Sequence, residues 1–133
     1  MTNKYITLFA LTMSLLTWSC VEDTKKSSDK TGDSKEELLL GTWIKSIDAG
    51  NKMIDIGFEF LDDHKVNYIN QPRTLGKEWK MKGKDSLVLF YQNRIYGDSI
   101  ESAVYYIESL SGSELRLRPR NATRNYLDIY SRK

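Results

Sequence analysis

The sequence predicts an all-β domain, an eight-stranded antiparallel up-and-down barrel with meander topology, and two observations support that prediction. Apolar and polar residues alternate through much of the chain after residue 40, as they do in strands with one buried face. The links between these stretches are short and polar, which suits hairpins but not the long crossovers of a parallel sheet. Closure of eight consecutive strands into a barrel also removes the exposed edges of an open sheet.

The alternation is clearest between residues 53 and 61, where Ile54, Ile56, Phe58 and Phe60 fall on one face. Residues 36–40 favour a short helical turn before the first strand. On the last strand we expect Tyr126 and Tyr130 on the outer face. The predicted strands lie near residues 41–48, 53–61, 65–71, 77–82, 86–93, 99–109, 114–118 and 124–131.

Residues 1–19 have the order of a secretory signal peptide: Lys4, an apolar run from Ile6 to Leu16, and Ser19 before Cys20. Cys20 is the only cysteine of the chain, and a cysteine directly after the cleavage point resembles the lipobox of bacterial lipoproteins. That resemblance implies a lipid on the Cys20 thiol. An ordinary signal peptide that ends near a cysteine is the alternative, whereas the apolar run is shorter than the roughly 20 residues of a membrane-spanning helix.

The chain divides into a signal peptide (residues 1–19), a flexible polar tether (20–35) and a barrel domain (36–133). The tether is mostly Lys, Asp, Ser and Thr, a composition that cannot bury enough apolar surface to order itself. Glu22 and Asp23 resemble the acidic sorting signals of some lipoproteins. We therefore expect a protein of the cell envelope that is lipid-anchored to a bacterial membrane, with the outer membrane favoured and the leaflet left open.

Catalytic, metal and cofactor chemistry find little support in these residues. His64 is the only histidine, and Asp62-Asp63-His64 is typical of a polar turn rather than a metal site. Neither a G-x-S-x-G motif nor a glycine-rich phosphate loop occurs. We expect no enzyme, no metal and no cofactor. The near balance of 20 Lys and Arg against 18 Asp and Glu, in an exported protein, argues against a nucleic-acid partner.

Gly41-Thr42-Trp43, at the start of the first predicted strand, resembles the G-x-W signature of lipocalins. The order of the later segments is similar to that of small bacterial lipocalin-like lipoproteins over roughly residues 38–131. The resemblance implies that Trp43 plugs one end of the barrel and that a basic residue, Arg124 or Arg132, packs across it. The segments that support it are Gly57-Phe58-Glu59-Phe60, Trp79, Asp85-Ser86-Leu87-Val88-Leu89, Tyr106-Ile107-Glu108 and Glu114-Leu115-Arg116-Leu117.

The resemblance also implies that a small apolar ligand binds inside the barrel, and this is the leading prediction of function. An eight-stranded barrel is just wide enough to be filled by its own side chains or to hold one small ligand. Ordinary core packing of the inward residues is therefore the alternative to ligand binding. The ligand-binding candidates are Phe58, Phe60, Tyr68, Trp79, Leu89 and Tyr105.

A second function rests on two strands that are apolar on both faces. Val88, Phe90, Val104 and Tyr106 would form one exterior patch on adjacent strands. Apolar patches of more than roughly a few hundred Å² mark interaction surfaces. The patch formed by these four residues predicts a protein partner in the cell envelope, for which this chain would act as an inhibitor or assembly partner. The alternative is that residues 36–40 cover the patch within the same molecule.

Overall fold

The computed structural model describes residues 34–133, which form one short helix and eight strands. The predicted all-β antiparallel meander, with a helical turn before the first strand, is confirmed. The predicted signal peptide, Cys20 and most of the predicted tether lie outside the described residues. The elements are α1 Lys35–Leu39, β1 Gly41–Asp48, β2 Met53–Phe60, β3 Val66–Ile69, β4 Thr74–Lys82, β5 Ser86–Asn93, β6 Ile100–Leu110, β7 Glu114–Pro119 and β8 Asp128–Arg132.

The eight strands form one sheet in the order β3-β2-β1-β8-β7-β6-β5-β4. The first and last strands pair antiparallel, with Trp43 opposite Arg132. β3 and β4 are joined only by an isolated bridge between Lys65 and Glu78 and by a 2.8 Å hydrogen bond from Trp79 N to the His64 carbonyl. The barrel is therefore nearly closed, with a seam between β3 and β4.

The two ends of the barrel differ in how they are covered. The closed end is the one where β1 begins and β8 ends, and α1 lies there. The fully buried Trp43 donates from its indole Nε1 to the Leu39 carbonyl at 2.7 Å. The opposite end, which we call the mouth, carries the loops 49–52, 70–73, 94–99 and 120–127.

Arg132 is the basic residue that packs on Trp43. Its guanidinium carbon lies 4.3 Å from the Trp43 ring centroid, and its nitrogens donate to the carbonyls of Leu38 and Leu40, the latter at 2.6 Å. Gly41 has a φ of 113°, and a Cβ there would lie 2.8 Å from Arg132 Nη1. Arg124 is exposed in the loop before β8, so of the two predicted arginines it is Arg132 that packs across Trp43.

The helix extends the core instead of covering the outer wall. Ser34 caps α1 by accepting a 3.3 Å hydrogen bond from Glu37 N, so Lys35, expected in the tether, begins the helix. Leu39 is fully buried within the barrel core. The alternative in which residues 36–40 cover the exterior patch is therefore wrong.

The largest differences from the prediction are the starts of two strands and one side-chain direction. β4 begins at Thr74 and continues through a register shift between Gly76 and Glu78, whereas β8 begins only at Asp128. Tyr130, predicted on the outer face, is only 4 % exposed and belongs to the core. The cause is Asp128, on the same face, which Lys45 holds inside the barrel.

Candidate ligand site at the barrel mouth

A layer of four tyrosines caps the core on the side of the mouth. Three of them stand two positions from a buried aliphatic residue of their own strand, so both side chains point inward and the tyrosine lies nearer the mouth. The fourth is the buried tyrosine of β8. The tyrosine layer consists of Tyr68 on β3, Tyr91 on β5, Tyr105 on β6 and Tyr130 on β8.

Phe58 supports this layer from below. Its ring centroid lies 5.1 Å from that of Tyr68, 5.3 Å from that of Tyr130 and 6.3 Å from that of Tyr105. The Tyr68 contact is edge-to-face, a geometry in which the positive ring edge meets the negative ring face. Tyrosines from three strands that are distant in sequence thus contact the Phe58 ring.

An ion pair lies inside the barrel beside the tyrosine layer. Lys45 pairs with Asp128, and their side chains are 22 % and 12 % exposed. The Lys45 ammonium lies 5.4 Å from the Tyr130 ring centroid, and the Tyr126 hydroxyl donates to Asp128 Oδ1 at 3.2 Å. Because a single charge in such a sheltered position would be costly, each partner depends on the other.

Burial raises the pKa of Tyr105 to about 12, with the charge of Asp128 as the second cause. Burial likewise raises the pKa of Tyr68 and Tyr130. These hydroxyls therefore stay protonated and can donate as well as accept hydrogen bonds. Tyr68 and Tyr105 are half-buried and Tyr130 is 4 % exposed, and within residues 34–133 no buried side-chain nitrogen or oxygen lacks a partner.

A groove of about 940 Å³ lies over the seam at the mouth. Its lining is mainly polar and includes Asp55 of β2, Gln71 of the β3–β4 loop and Arg94 of the β5–β6 loop, with Tyr68 shared between groove and tyrosine layer. At Gly76 a Cβ would lie 2.0 Å from the Val66 carbonyl, so only glycine lets β4 approach β3 there. The mouth thus offers polar groups beside an aromatic surface.

A family model described as lipocalin-like matches residues 35–133. The chain belongs to the lipocalin-like family. A crystal structure of a lipocalin-like protein from Bacteroides thetaiotaomicron is similar to it, with a TM-score of 0.57, 17 % identity, and coverage of 71 % of this chain and 95 % of that chain. At that identity the similarity shows the fold. No curated protein matches the chain.

The ligand-binding candidates fall into two groups in this lipocalin-like barrel. Four are packed in the core, each at most 3 % exposed: Phe58, Phe60, Trp79 and Leu89. Tyr68 and Tyr105 lie in the tyrosine layer, at the upper boundary of that core. The lumen is thus filled by side chains from the closed end up to the tyrosines, and the binding role of all six residues stays a prediction.

A groove of about 750 Å³ lies on the outer wall of β4, β5 and β6. It is lined by the four residues of the predicted exterior patch, Val88, Phe90, Val104 and Tyr106. Basic side chains cover part of it. The Lys80 ammonium lies 4.8 Å from the Phe90 ring centroid, and the Arg118 guanidinium carbon lies 4.9 Å from that of Tyr106. Val88 is only 6 % exposed.

Sequence analysis missed Lys45 and Asp128 as functional candidates. The only available signal was the position of Lys45, two residues after Trp43 and hence on the same inward face of β1. Asp128 lies 83 positions further along the chain, and no local pattern relates the two.

His64 occupies the predicted turn with a φ of 63°, and its ring stacks on Trp79 at a centroid distance of 4.9 Å. No cluster of three or more His, Cys, Asp or Glu side chains in residues 34–133 could hold a metal ion. No helix within the same range is long and apolar enough to cross a membrane.

Proposed function

We propose that this lipocalin-like protein is a non-enzymatic lipoprotein of the bacterial envelope that binds one small amphiphilic molecule at the barrel mouth. The observation that supports it most is the tyrosine layer, where the half-buried Tyr68 and Tyr105 stand at the edge of a filled core. Such a surface combines apolar area with a few fixed polar groups, as small-molecule sites commonly do.

The ligand would rest on the tyrosine layer instead of entering the lumen. Trp79 and Leu89 are 2 % and 0 % exposed, so a ligand at their depth would have to displace packed core side chains. Tyr68 and Tyr105 are the members of the predicted ligand set that a molecule at the mouth can reach without such displacement.

The chemistry of the mouth favours a ligand with an apolar body and a polar or anionic head. Tyrosine rings supply the surface for the apolar body. Lys52, Gln71 and Arg94 in the groove supply donors for a carboxylate, phosphate or hydroxyl group. The purely apolar ligand expected from the family resemblance would use none of these donors.

The test of this function is native mass spectrometry of the protein purified gently from its own envelope. We expect a stoichiometric small molecule, and we expect Tyr68→Phe and Tyr105→Phe to weaken its retention because each removes one hydroxyl while keeping the ring. Tyr96→Phe is the matched control, since Tyr96 is 78 % exposed in the β5–β6 loop. Protein that is empty in every preparation would contradict the proposal.

The proposed anchor has its own test. The mass of the mature N-terminal peptide should show a lipid on Cys20, and a Cys20→Ser variant should be released from the membrane fraction. An unmodified Cys20 thiol in the mature protein would contradict lipidation and leave an ordinary signal peptide as the explanation.

The second candidate function is protein binding through the outer-wall groove of Val88, Phe90, Val104 and Tyr106. The groove supports it, but Lys80 and Arg118 already stack on its two aromatic rings. Loss of a co-purifying protein in a Phe90→Glu variant, with the small molecule retained in Tyr105→Phe, would favour this candidate over ligand binding.

A further inference from the structure

Exposed apolar side chains are confined to one end of this barrel. All nine large hydrophobic residues that are exposed within residues 34–133 lie in the mouth loops or within two residues of a strand end at the mouth. None lies at the closed end of the described structure. They are Ile47, Met53, Leu75, Ile95, Tyr96, Ile100, Tyr126, Leu127 and Ile129.

Three of these exposed side chains stand on different loops or strands around the mouth. Tyr96 is 78 % exposed in the β5–β6 loop, Met53 is 64 % exposed at the start of β2, and Tyr126 is 49 % exposed in the β7–β8 loop. Together they surround the mouth instead of forming a stripe along the wall. Tyr96 and Tyr126 suit the boundary between water and lipid, where tyrosine side chains are enriched.

Charge is distributed with the same bias toward the mouth. The mouth loops 49–52, 70–73, 94–99 and 120–127 contain five basic residues, Lys52, Arg73, Arg94, Arg120 and Arg124, against one acidic residue, Asp98. All five are exposed, and none forms an ion pair within the described part of the chain.

The acidic residues near the mouth stand on the strand ends. Asp48 and Glu101 are exposed there, Asp55 lines the mouth groove and accepts a hydrogen bond from the Ser46 hydroxyl, and Asp128 is paired with Lys45. Loops 61–65, 83–85 and 111–113 at the closed end contain two basic residues, Lys65 and Lys84, against three acidic ones, Asp62, Asp63 and Asp85. The positive charge thus gathers where the apolar side chains are exposed.

We propose that the mouth rim docks on an anionic lipid bilayer surface, with Tyr96, Met53 and Tyr126 at the headgroup boundary and the five basic residues against lipid phosphates. Both components of this surface are those that bind interfacial proteins to anionic membranes: apolar contact area and unpaired basic charge. The combination favours a bilayer over an anionic polysaccharide, which would use the charge but not the exposed Ile95 and Leu127. Lys52 and Arg94 also line the groove of the proposed ligand site, but membrane docking does not require a ligand to be bound there.

The test uses a fluorescent tryptophan reporter at each end of the protein as purified from its own envelope. The Tyr96→Trp variant carries the mouth reporter and the Lys84→Trp variant carries the closed-end reporter, with the N-terminus the same in both. The vesicles are phosphatidylcholine alone or an equal mixture of phosphatidylcholine and phosphatidylglycerol, and each carries brominated acyl chains as a quencher.

We expect the mouth reporter to be quenched and blue-shifted in the anionic vesicles, less so in the neutral ones, and the closed-end reporter to be unaffected in both. High salt should weaken the effect, since it screens the attraction between exposed charges and lipid. Combining Tyr96→Trp with Arg94→Glu and Arg124→Glu should lower the docked fraction by about tenfold or more, whereas combining it with Lys84→Glu should leave that fraction unchanged.

An unquenched mouth reporter in anionic vesicles would overturn the proposal and leave the rim to a protein or glycan partner. Equal quenching of the mouth and closed-end reporters would overturn it as well, because the barrel would then lie on the membrane without a preferred end.

Discussion

The guanidinium group of Arg132 connects several elements at the closed end of the barrel. Its guanidinium stacks on Trp43 while donating to the carbonyls of Leu38 and Leu40, so it joins the last strand, the first strand and the end of α1. Hydrogen bonds from a charged group to carbonyls near the core contribute more than neutral ones, because the carbonyls would otherwise lose their partner.

We therefore expect Arg132→Ala to lower the free energy of unfolding by about 2–3 kcal/mol. Arg124→Ala is the matched control, since Arg124 is exposed in the β7–β8 loop, and we expect a change within about 0.5 kcal/mol. Urea unfolding followed by tryptophan fluorescence measures both. Equal losses for the two variants would show that the contact with Trp43 adds no stability.

The raised pKa of Tyr105 should make the stability of the folded protein depend on pH in alkaline solution. Its pKa is raised by burial from 10.0 to about 12, so above pH 10 the unfolded chain releases the tyrosine proton while the folded protein keeps it. Unfolding is then favoured as pH rises through this window, whereas below pH 10 the group contributes no pH dependence.

Between pH 10 and about 12 we expect the stability of Tyr105→Phe to fall less steeply than that of the parent protein, by up to about 1.4 kcal/mol per pH unit. Tyr96→Phe should keep the parent slope. Denaturant titrations at a series of pH values measure the effect, and identical slopes for Tyr105→Phe and the parent would show that Tyr105 is not sheltered in the folded protein.

Pairing between β1 and β2 requires a residue without a side chain at position 57. A Cβ on Gly57 would lie 1.8 Å from the Trp43 carbonyl, a backbone atom that cannot move without shifting the strand that carries the end-plug tryptophan. The requirement is steric and does not involve an unusual backbone angle.

Gly57→Ala should therefore cost roughly 3 kcal/mol of stability, at the upper end for an overpacked site. Gly112→Ala offers the comparison, since a Cβ there meets nothing within 4 Å, and it should change stability by no more than about 0.5 kcal/mol. Thermal and urea unfolding of the two variants distinguish them, and a Gly57→Ala protein as stable as the parent would contradict the close β1–β2 approach.

Most of the elements could be predicted from sequence because strand periodicity is local. β1 and β5 begin and end where the alternation and its turns place them, at Gly41–Asp48 and Ser86–Asn93. The inward direction of the Tyr130 side chain could not be predicted. It depends on Asp128, on the same strand face, being neutralised by Lys45, which is far from it in the sequence. The register shift at Gly76 is likewise set by the neighbouring strand.

The candidate site was predictable only in part for the same reason. Tyr68 and Tyr105 are inward positions that alternation identifies, but the depth to which the lumen is filled depends on how all eight strands pack. Phe58 illustrates this, because alternation places its side chain inside the barrel but does not show that it lies beneath tyrosines from three strands.

At the scale of the whole molecule, the barrel has two ends with different roles. Trp43, Leu39 and Arg132 seal one end, and the core fills the lumen up to the tyrosine layer. The other end combines the seam, the groove, exposed apolar side chains and basic loops. The proposed ligand site and the proposed membrane-docking rim therefore both lie at the mouth, while the closed end and the core provide stability.

The most direct test of this account is chemical-shift mapping by NMR while an organic extract of the protein's own envelope is titrated in. We predict saturable shifts at Tyr68, Tyr105 and Tyr130, with the signals of Trp79 and Leu89 unchanged. Shifts centred on Trp79 and Leu89 would show that the lumen opens for its ligand, and shifts confined to Val88 and Phe90 would place binding on the outer wall. Either result would contradict ligand binding at the mouth.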